Sequence, residues 1–251
     1  MVNFFNLKSY YNRLKTQNVG RPCLYFDTVD STINVAKKEE FNTLVIAKEQ
    51  TSGRGQRTNK WVSPIGCAMV SVRLGYPKGS FMTKRLCFLQ HIVAISIAKT
   101  LECINPNRLG PDQIGLKWPN DIIYKERSLK IGGILVQAND LPDHHDVIIS
   151  FGLNVSNREP TTCINEIISE PVSIDSVVAD IMNSFENYTH ELTDQKFETL
   201  KLEYEKRCIQ VNKIVLDEVH GTISVKGVNN EGYLIGVNTM TGKPCTVTKI
   251  I

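Results

Sequence analysis

Thr51-Ser52-Gly53-Arg54-Gly55-Gln56-Arg57-Thr58-Asn59-Lys60-Trp61 separates two apolar runs, Thr43 to Ala47 and Cys67 to Leu74, and its reading governs the rest of the chain. The runs have the length and composition of buried strands, so one delivers the loop and the other receives it. Glycine costs about 0.5–1 kcal/mol of extra ordering entropy in regular structure, so Gly53 and Gly55 fit a sharp turn or a backbone that touches a ligand. Arg54 offers a planar fork of donors for phosphate or carboxylate oxygens, and Trp61 offers a flat face on which a base could stack. The same composition also fits a basic surface loop or one that touches RNA, and the stretch alone leaves these open.

On the N-terminal side, Phe4, Leu7, Tyr11 and Leu14 recur at helical spacing, predicting a helix within residues 4 to 18, stopped by Gly20 and Pro22. Leu24-Tyr25-Phe26 reads as a strand, and Asp30-Ser31-Thr32 can cap a helix running to about Glu40. Hydroxyls where a strand enters a helix suit a ligand, and simple capping explains them as well. Gln50 closes the strand that leads into the glycine-arginine loop.

On the C-terminal side, Phe81 to Leu101 is apolar nearly all round, which predicts a helix covered on several faces. Gln113 to Lys117 reads as a strand, Trp118-Pro119-Asn120-Asp121 as a kink, and Ile122-Ile123-Tyr124 as its continuation, because proline removes a donor and biases its predecessor to extended geometry. A turn at Lys125 to Ser128 then leads to Leu129-Lys130-Ile131-Gly132-Gly133-Ile134-Leu135-Val136. Glycine inside a strand marks close approach of backbone or ligand, whereas Lys130 by itself reads as an edge or surface charge. Val147 to Val155 is another strand, interrupted by Gly152 and ending near Asn154. Ile174, Val177, Val178, Ile181, Met182 and Phe185 form the stripe of an amphipathic helix begun by Ser173 and Asp175, and a second helix follows around Phe197 to Lys206. Beyond Ile209 come short strands at Lys213 to Val219, Thr222 to Val228, Tyr233 to Val237 and Pro244 to Ile250, the pattern of a small barrel. The expected division is therefore residues 1–209 and 210–251.

A chain of 251 residues, 41% hydrophobic, can bury one sizeable core with a small appended module. Its net charge of +3 is spread without a block of one sign, so bulk electrostatics selects neither a membrane surface nor nucleic acid. No reading motif for nucleic acid is present. Seven cysteines with no CxxC fit reduced, mostly packed thiols, and His144-His145 reads as an exposed loop rather than a metal site. No apolar run is read as long enough to span a bilayer, and the N-terminus lacks a signal peptide's apolar centre. The expectation is a cytoplasmic protein, with an organelle left open.

Five features then stand at strand ends or in glycine-containing loops: Ser31-Thr32, Gln50 with the arginine loop, Lys117 to Asp121, Lys130 with Gly132-Gly133, and Gly152 to Asn154. With them the sequence resembles the biotin protein ligases, in order from Arg21 to Ile251, through Asp30-Ser31-Thr32, the Gly-Arg-Gly loop ending in Trp61, Lys117-Trp118-Pro119-Asn120-Asp121, Lys130-Ile131-Gly132-Gly133-Ile134-Leu135-Val136 and Gly152-Leu153-Asn154-Val155. The opening Phe-x-Leu-x-x-Tyr and Leu14-x-Thr16-x-x-x-Gly20-Arg21 look like the eukaryotic branch. That branch's large N-terminal extension and a helix-turn-helix repressor domain are not found in this sequence.

The resemblance implies an α/β (α+β) fold: a mixed sheet with packed helices, like class II aminoacyl-tRNA synthetases, followed by an SH3-like β-barrel. It implies that biotin and ATP, with Mg²⁺ carried by the nucleotide rather than by a protein ligand, give biotinyl-5′-AMP. The biotinyl group then passes to a lysine on the biotin carrier domain of a biotin-dependent carboxylase. A homodimer is left open. By resemblance, Ser31, Thr32 and Gln50 bind biotin's ureido ring and nearby atoms, and Gly53 and Gly133 bring backbone up to it. Arg54, Lys117 and Lys130 offset the charge of carboxylate and phosphates, with Lys130 between the two. Trp61 covers adenine, Gln56 and Arg57 lie along the nucleotide, Asn120 and Asn154 read the nucleotide or support metal and phosphates, and Asp121 orients or deprotonates the incoming lysine. One departure is Gln56, where the family's loop usually carries a second arginine; another is Thr58, where many members have glycine. Two rival readings are a lipoate or octanoate ligase, disfavoured by the Gly-Arg-Gly loop, and an inactive biotin-binding module.

Overall fold

The computed structural model describes residues 5–157, 159–190 and 192–250. In chain order it contains α1 (Leu7–Arg13), β1 (Cys23–Val29), α2 (Thr32–Ala36), β2 (Leu44–Gln50) and β3 (Cys67–Pro77). A 3-10 segment (Phe81–Phe88) leads into α3 (Leu89–Ile104) and the single turn α4 (Pro106–Leu109). Then come β4 (Ile114–Lys117), β5 (Asp121–Tyr124), β6 (Leu129–Asp140), β7 (His144–Asn154), α5 (Ile164–Ile168), α6 (Ile174–Thr189) and α7 (Asp194–Arg207). The last part holds β8 (Ile214–Asp217), β9 (Gly221–Val228), β10 (Leu234–Asn238) and β11 (Pro244–Thr246).

The first seven strands form one mixed sheet in the order β1-β2-β3-β7-β6-β5-β4, with β1 and β2 parallel and the remaining neighbours antiparallel. Alternation along the strands assigns its two faces. Leu44 and Ile46, Val70 and Val72, Ile134, and Ile149 and Phe151 enter the main core with α3 and α6. Their neighbours Val45 and Ile148 pack instead with Ile33 and Ala36 of α2, so α2 covers part of the opposite face. The uncovered remainder of that face forms the floor of a cleft. Helix α3 is the central element of the core: Leu89, Ile92, Ile95, Ile97 and Leu101 are fully buried, each contributing roughly 1.5–3 kcal/mol through removal from water.

One irregularity matters for the site. Pairing of β5 with β6 runs Asp121 to Gly133 and Ile122 to Gly132, then slips so that Ile123 faces Lys130. Ile131 is the extra residue of a β-bulge and points into the core. Without it, alternation from Ile134 would place Lys130 on the core side; the bulge turns it to the cleft side.

The second sheet has four antiparallel strands in the order β11-β10-β9-β8, and a bridge from Asp217 to Ile250 draws the chain's end onto β8. Asp217 accepts hydrogen bonds from the Thr248 and Lys249 backbone at 2.8 and 2.9 Å. The expected strand-rich C-terminal module is thus a small β domain.

Several expectations are corrected. The first helix is seven residues long, and it buries Tyr10 with the following Leu14, while Leu7 and Tyr11 are exposed. Tyr10 is drawn inward because its hydroxyl donates to Gly20 O at 3.1 Å; Phe4 lies outside the described residues. α2 stops at Ala36 rather than near Glu40. The apolar stretch from Phe81 is a 3-10 segment broken at Arg85 before α3 begins. By length and composition Phe81–Ile104 does suffice to cross a membrane, contrary to expectation, yet 67% of its apolar window is buried within the protein. Trp118 to Asn120 does not kink one extended run but reverses the chain, since Lys117 pairs with Asp121 across it. His144 and His145 open β7 rather than occupying an exposed loop, because the long β3 strand extends far enough to pair with both and β6 far enough to pair with His145.

Candidate active site

The cleft floor follows from which residues lack side chains. Gly133 and Gly152 are cross-strand partners on β6 and β7, both on the face away from the main core. The Trp61 indole fills the trough they leave: a methyl group on Gly152 would lie 2.3 Å from its Cε2, and one on Gly133 would lie 3.0 Å from its Cζ3. Trp61 Nε1 is buried without a hydrogen-bond partner, and Lys130 Nζ stands 5.3 Å from the ring centroid.

At one end of this floor lies a chain of uncharged polar groups. Gln50 Oε1 accepts from the Thr32 backbone N–H at 2.8 Å and from the Thr32 hydroxyl at 3.1 Å, while its Nε2 donates to Ser63 Oγ at 3.0 Å. Thr32 Oγ1 lies 2.8 Å from Ser71 Oγ, which lies 2.8 Å from Ser150 Oγ. Ser71 and Ser150 face each other across β3 and β7. Ser31 is the N-cap of α2, yet its hydroxyl makes no capping bond and is buried without a partner, so capping does not explain it. Asp30, whose carboxylate accepts from Ser31 N and Asn34 Nδ2, orders this entry instead.

At the other end the site is charged. The bulge brings Lys130 Nζ to 2.6 Å from Asp121 Oδ1, with both side chains partly exposed. Asn120 Nδ2 donates to Ile134 O at 3.1 Å, tying the turn before Asp121 to β6. The Gly-Arg-Gly stretch is a small hairpin: Arg54 bridges Lys60, Gly55 N donates to Asn59 O, and Trp61 N donates to Gly53 O. Arg57 takes the left-handed conformation at its tip, with φ 59°. Gly53 is required by this packing, since a side chain there would meet Trp61 O at 2.5 Å.

The cleft of about 660 Å³ is lined by Thr32, Gln50, Arg54, Gln56, Arg57 and Trp61, and also by Lys117, Asn120, Asp121, Lys130 and Gly133. Arg54 and Lys130, whose convergence the sequence reading required, share it. Ser31, Gly53 and Asn154 do not line it. Asn154 holds a loop behind the floor, donating to Thr161 Oγ1 and Thr162 O at 3.0 and 3.2 Å. The lining also includes groups that the sequence reading missed: Ser150, Gln90 and His91, and Glu231 to Tyr233 and Thr248 to Ile250 from the second sheet. Single serines inside otherwise apolar strands were the available signal for Ser71 and Ser150. The contribution of the second sheet had no local signal, because it arises from docking: Gly232 O accepts from Trp118 Nε1 at 2.9 Å and lies 2.7 Å from His91 Nε2. Burial pushes the His91 imidazole down from 6.5 to about 4, although the bond to Gly232 works the other way.

A glycine-floored cleft that carries both uncharged hydrogen-bonding groups (Thr32, Gln50, Ser150) and cations (Arg54, Lys117, Lys130) on the open face of a mixed sheet defines the class to which this fold and site belong. The chain belongs to the Biotin/lipoate A/B protein ligase family, which it matches over residues 25–154. It is 29% identical over 248 residues to the human biotin–protein ligase, covering 92% of this chain and 34% of that protein. It is 26% identical over 251 residues to biotin–protein ligase 2 of Arabidopsis thaliana, covering 93% of this chain and 74% of that protein. The biotin protein ligase of Aquifex aeolicus, solved in complex with biotin and ATP, superposes with a TM-score of 0.73 at 25% identity, over 91% of this chain and 96% of that one. These matches agree with the mixed-sheet fold and small C-terminal β domain. The chain spans about a third of the human relative's length.

Proposed function

We propose that this chain activates biotin with ATP to biotinyl-5′-AMP and transfers the biotinyl group to a lysine of a biotin carrier domain. The observation that carries the reading is the bulge that turns Lys130 out of the core and into the cleft that also holds Arg54 and the glycine floor. Two anions, a carboxylate and a triphosphate, must be pressed together, and only fixed positive charge makes that approach tolerable. Lys130, Arg54 and Lys117 supply the protein's share. In the first half-reaction a biotin carboxylate oxygen attacks the α-phosphorus of ATP and the bond to pyrophosphate breaks. In the second the acceptor amine attacks the acyl carbon, AMP departs with the bonding electrons, and the amine loses its proton. Asp121, which lines the cleft, receives or orients that proton. An amine with a reference pKa of about 10.4 attacks poorly at neutral pH until it is deprotonated.

Among the described residues, the carboxylates lining the cleft are Asp121 and Glu231, and Asp121 already pairs with Lys130. That donor set suits magnesium held chiefly by the phosphates, where it adds further charge neutralisation. Biotin is favoured over lipoate by the amide and hydroxyl chain at the uncharged end, since a ureido ring needs such partners and a dithiolane offers nothing to them. The seven free cysteines, two of them exposed, support a reducing compartment such as the cytosol. The interval between α7, ending at Arg207, and β8, beginning at Ile214, supports a domain boundary near residue 210. Incubation with ATP, magnesium, a carrier domain and either biotin or lipoate, followed by mass spectrometry of the carrier, tests the assignment. A biotinyl mass shift on one carrier lysine is expected; a lipoyl shift alone, or none, refutes it.

A further inference from the structure

The hydrogen-bond chain at the uncharged end of the cleft has a direction, and the direction is fixed by the backbone. The Thr32 backbone N–H can only donate, so the Gln50 side-chain atom 2.8 Å from it is the oxygen, and that oxygen can only accept. The Thr32 hydroxyl, 3.1 Å from the same oxygen, therefore spends its one proton on Gln50. The 2.8 Å contact between Thr32 Oγ1 and Ser71 Oγ must then be donated by Ser71, and the 2.8 Å contact between Ser71 and Ser150 by Ser150. Thr32, Ser71 and Ser150 are all buried, with Ser71 fully so, which leaves little water to reverse the order. Ser150 lines the cleft, and its proton is already committed inward.

We infer that Ser150 is a specificity-determining residue that presents only lone pairs to the ligand and so selects an N–H donor, with Ser71 as the positioning residue that imposes this polarity. The inference rests on the biotin-ligase reading above. A cyclic urea has two ring N–H groups, either of which satisfies Ser150; a dithiolane, an alkyl tail or a carbonyl oxygen satisfies nothing there. A site built to pair with a buried donor rejects analogues lacking it far better than an apolar pocket rejects a change of size. The relay would thus exclude lipoyl and fatty acyl groups by electronic polarity rather than by shape.

The test is calorimetric binding to the full chain without ATP, using biotin and its two cyclic-carbamate analogues, in each of which one ureido N–H is replaced by a ring oxygen. In the unsubstituted protein one carbamate should bind roughly tenfold to a hundredfold more weakly than biotin, the cost of facing lone pair to lone pair. In Ser150→Ala that penalty should fall to within about threefold, while biotin itself weakens. In Ser71→Ala the Ser150 proton is released to turn outward, so the penalty should also shrink although Ser150 is intact. This second variant keeps the test alive if Ser150→Ala does not fold. A penalty unchanged in either folded variant overturns the inference, as does equal binding of biotin and both carbamates by the unsubstituted protein. Failure of the unsubstituted protein to bind biotin at all would instead refute the ligase reading.

Discussion

Acidification should weaken this protein through a single buried histidine, and the size of the effect can be worked out from its surroundings. His91 is 2% exposed, packed at a tilt against Tyr204 with ring centroids 4.1 Å apart and edge on against Phe88 at 4.9 Å. Its Nε2 lies 2.7 Å from Gly232 O, and because a carbonyl only accepts, Nε2 carries the proton and Nδ1 is bare. Nδ1 has no partner, so charging the ring places a proton where nothing receives it. Burial accordingly lowers the pKa from 6.5 to about 4. The folded state prefers the neutral ring, so this contribution is fully present above about pH 6.5 and is lost as pH falls towards 4. At about 1.36 kcal/mol for each tenfold change in proton affinity, the loss approaches about 3 kcal/mol. For a chain of this size each kcal/mol corresponds to roughly 2–4 °C in Tm. Thermal unfolding of the parent and of His91→Gln across that range measures it, since glutamine keeps a donor for Gly232 but does not titrate. The difference between the two proteins cancels carboxylates common to both, and the parent should lose its stability more steeply. Equal pH slopes would show that His91 is not the titrating group.

Lys130→Ala should reduce adenylate formation by roughly two to three orders of magnitude, the loss expected for a preorganised charge stabiliser, while leaving the melting curve intact; near-normal turnover in single-turnover assays would refute its role. Asp121→Asn should slow transfer to the carrier lysine more than it slows adenylate formation, which separate measurement of the two half-reactions decides. Gln56, which lines the cleft at the position where the family resemblance leads one to expect a second arginine, should hold the adenylate weakly; Gln56→Arg should lower the release of biotinyl-AMP measured without acceptor, and unchanged release removes the idea. Asp217 is buried, which tends to raise its pKa, but hydrogen bonds from Lys249, His220 and Thr248 outweigh this and bring it down to about 2. Its stabilisation is present above the usual carboxylate range near 3.8 and is lost as pH falls towards 2, worth about 2 kcal/mol at neutral pH. Asp217→Ala should therefore raise hydrogen exchange at Thr248 and Lys249, and unchanged protection there would contradict it.

The sequence was most informative where one residue type has one physical use. Apolar runs located the strands of the main sheet, the all-round apolar character of Phe81 to Leu101 marked a core helix although its first eight residues form the 3-10 segment, and Ser173 did cap α6 by accepting from Ser176 N. Eleven of the residues expected at the site do line one cleft. What the sequence concealed has a common cause: polar groups whose orientation is set by neighbours far along the chain. Ser71 and Ser150 are 79 positions apart, and only strand pairing makes them one hydrogen-bonded unit. Gly53 invited a ligand-contact reading, whereas its neighbour Trp61 O is what excludes a side chain there. Leu7 and Tyr11 satisfied helical spacing as well as Tyr10 and Leu14, and the hydroxyl bond to Gly20 O selects the second set.

Lys130 is the sharpest case, because period-two alternation predicts the wrong face for it. Read outward from Ile134, the strand would bury the lysine; read by composition, it would be a solvated edge charge. The bulge at Ile131 yields neither outcome and sets the ammonium against Asp121 inside a cleft. At 40% and 23% exposure such a pair is worth only about 0–1 kcal/mol, so it costs little to open. On the proposed reading that weakness is functional. When a carboxylate and a triphosphate enter, Lys130 exchanges one anionic partner for another without first being stripped of a strong bond. The same exchange frees the Asp121 carboxylate to accept a hydrogen bond from the incoming amine. On that reading one ion pair would serve both half-reactions in sequence: it would hold the lysine ready for the first, and its opening would leave the aspartate open to the amine of the second.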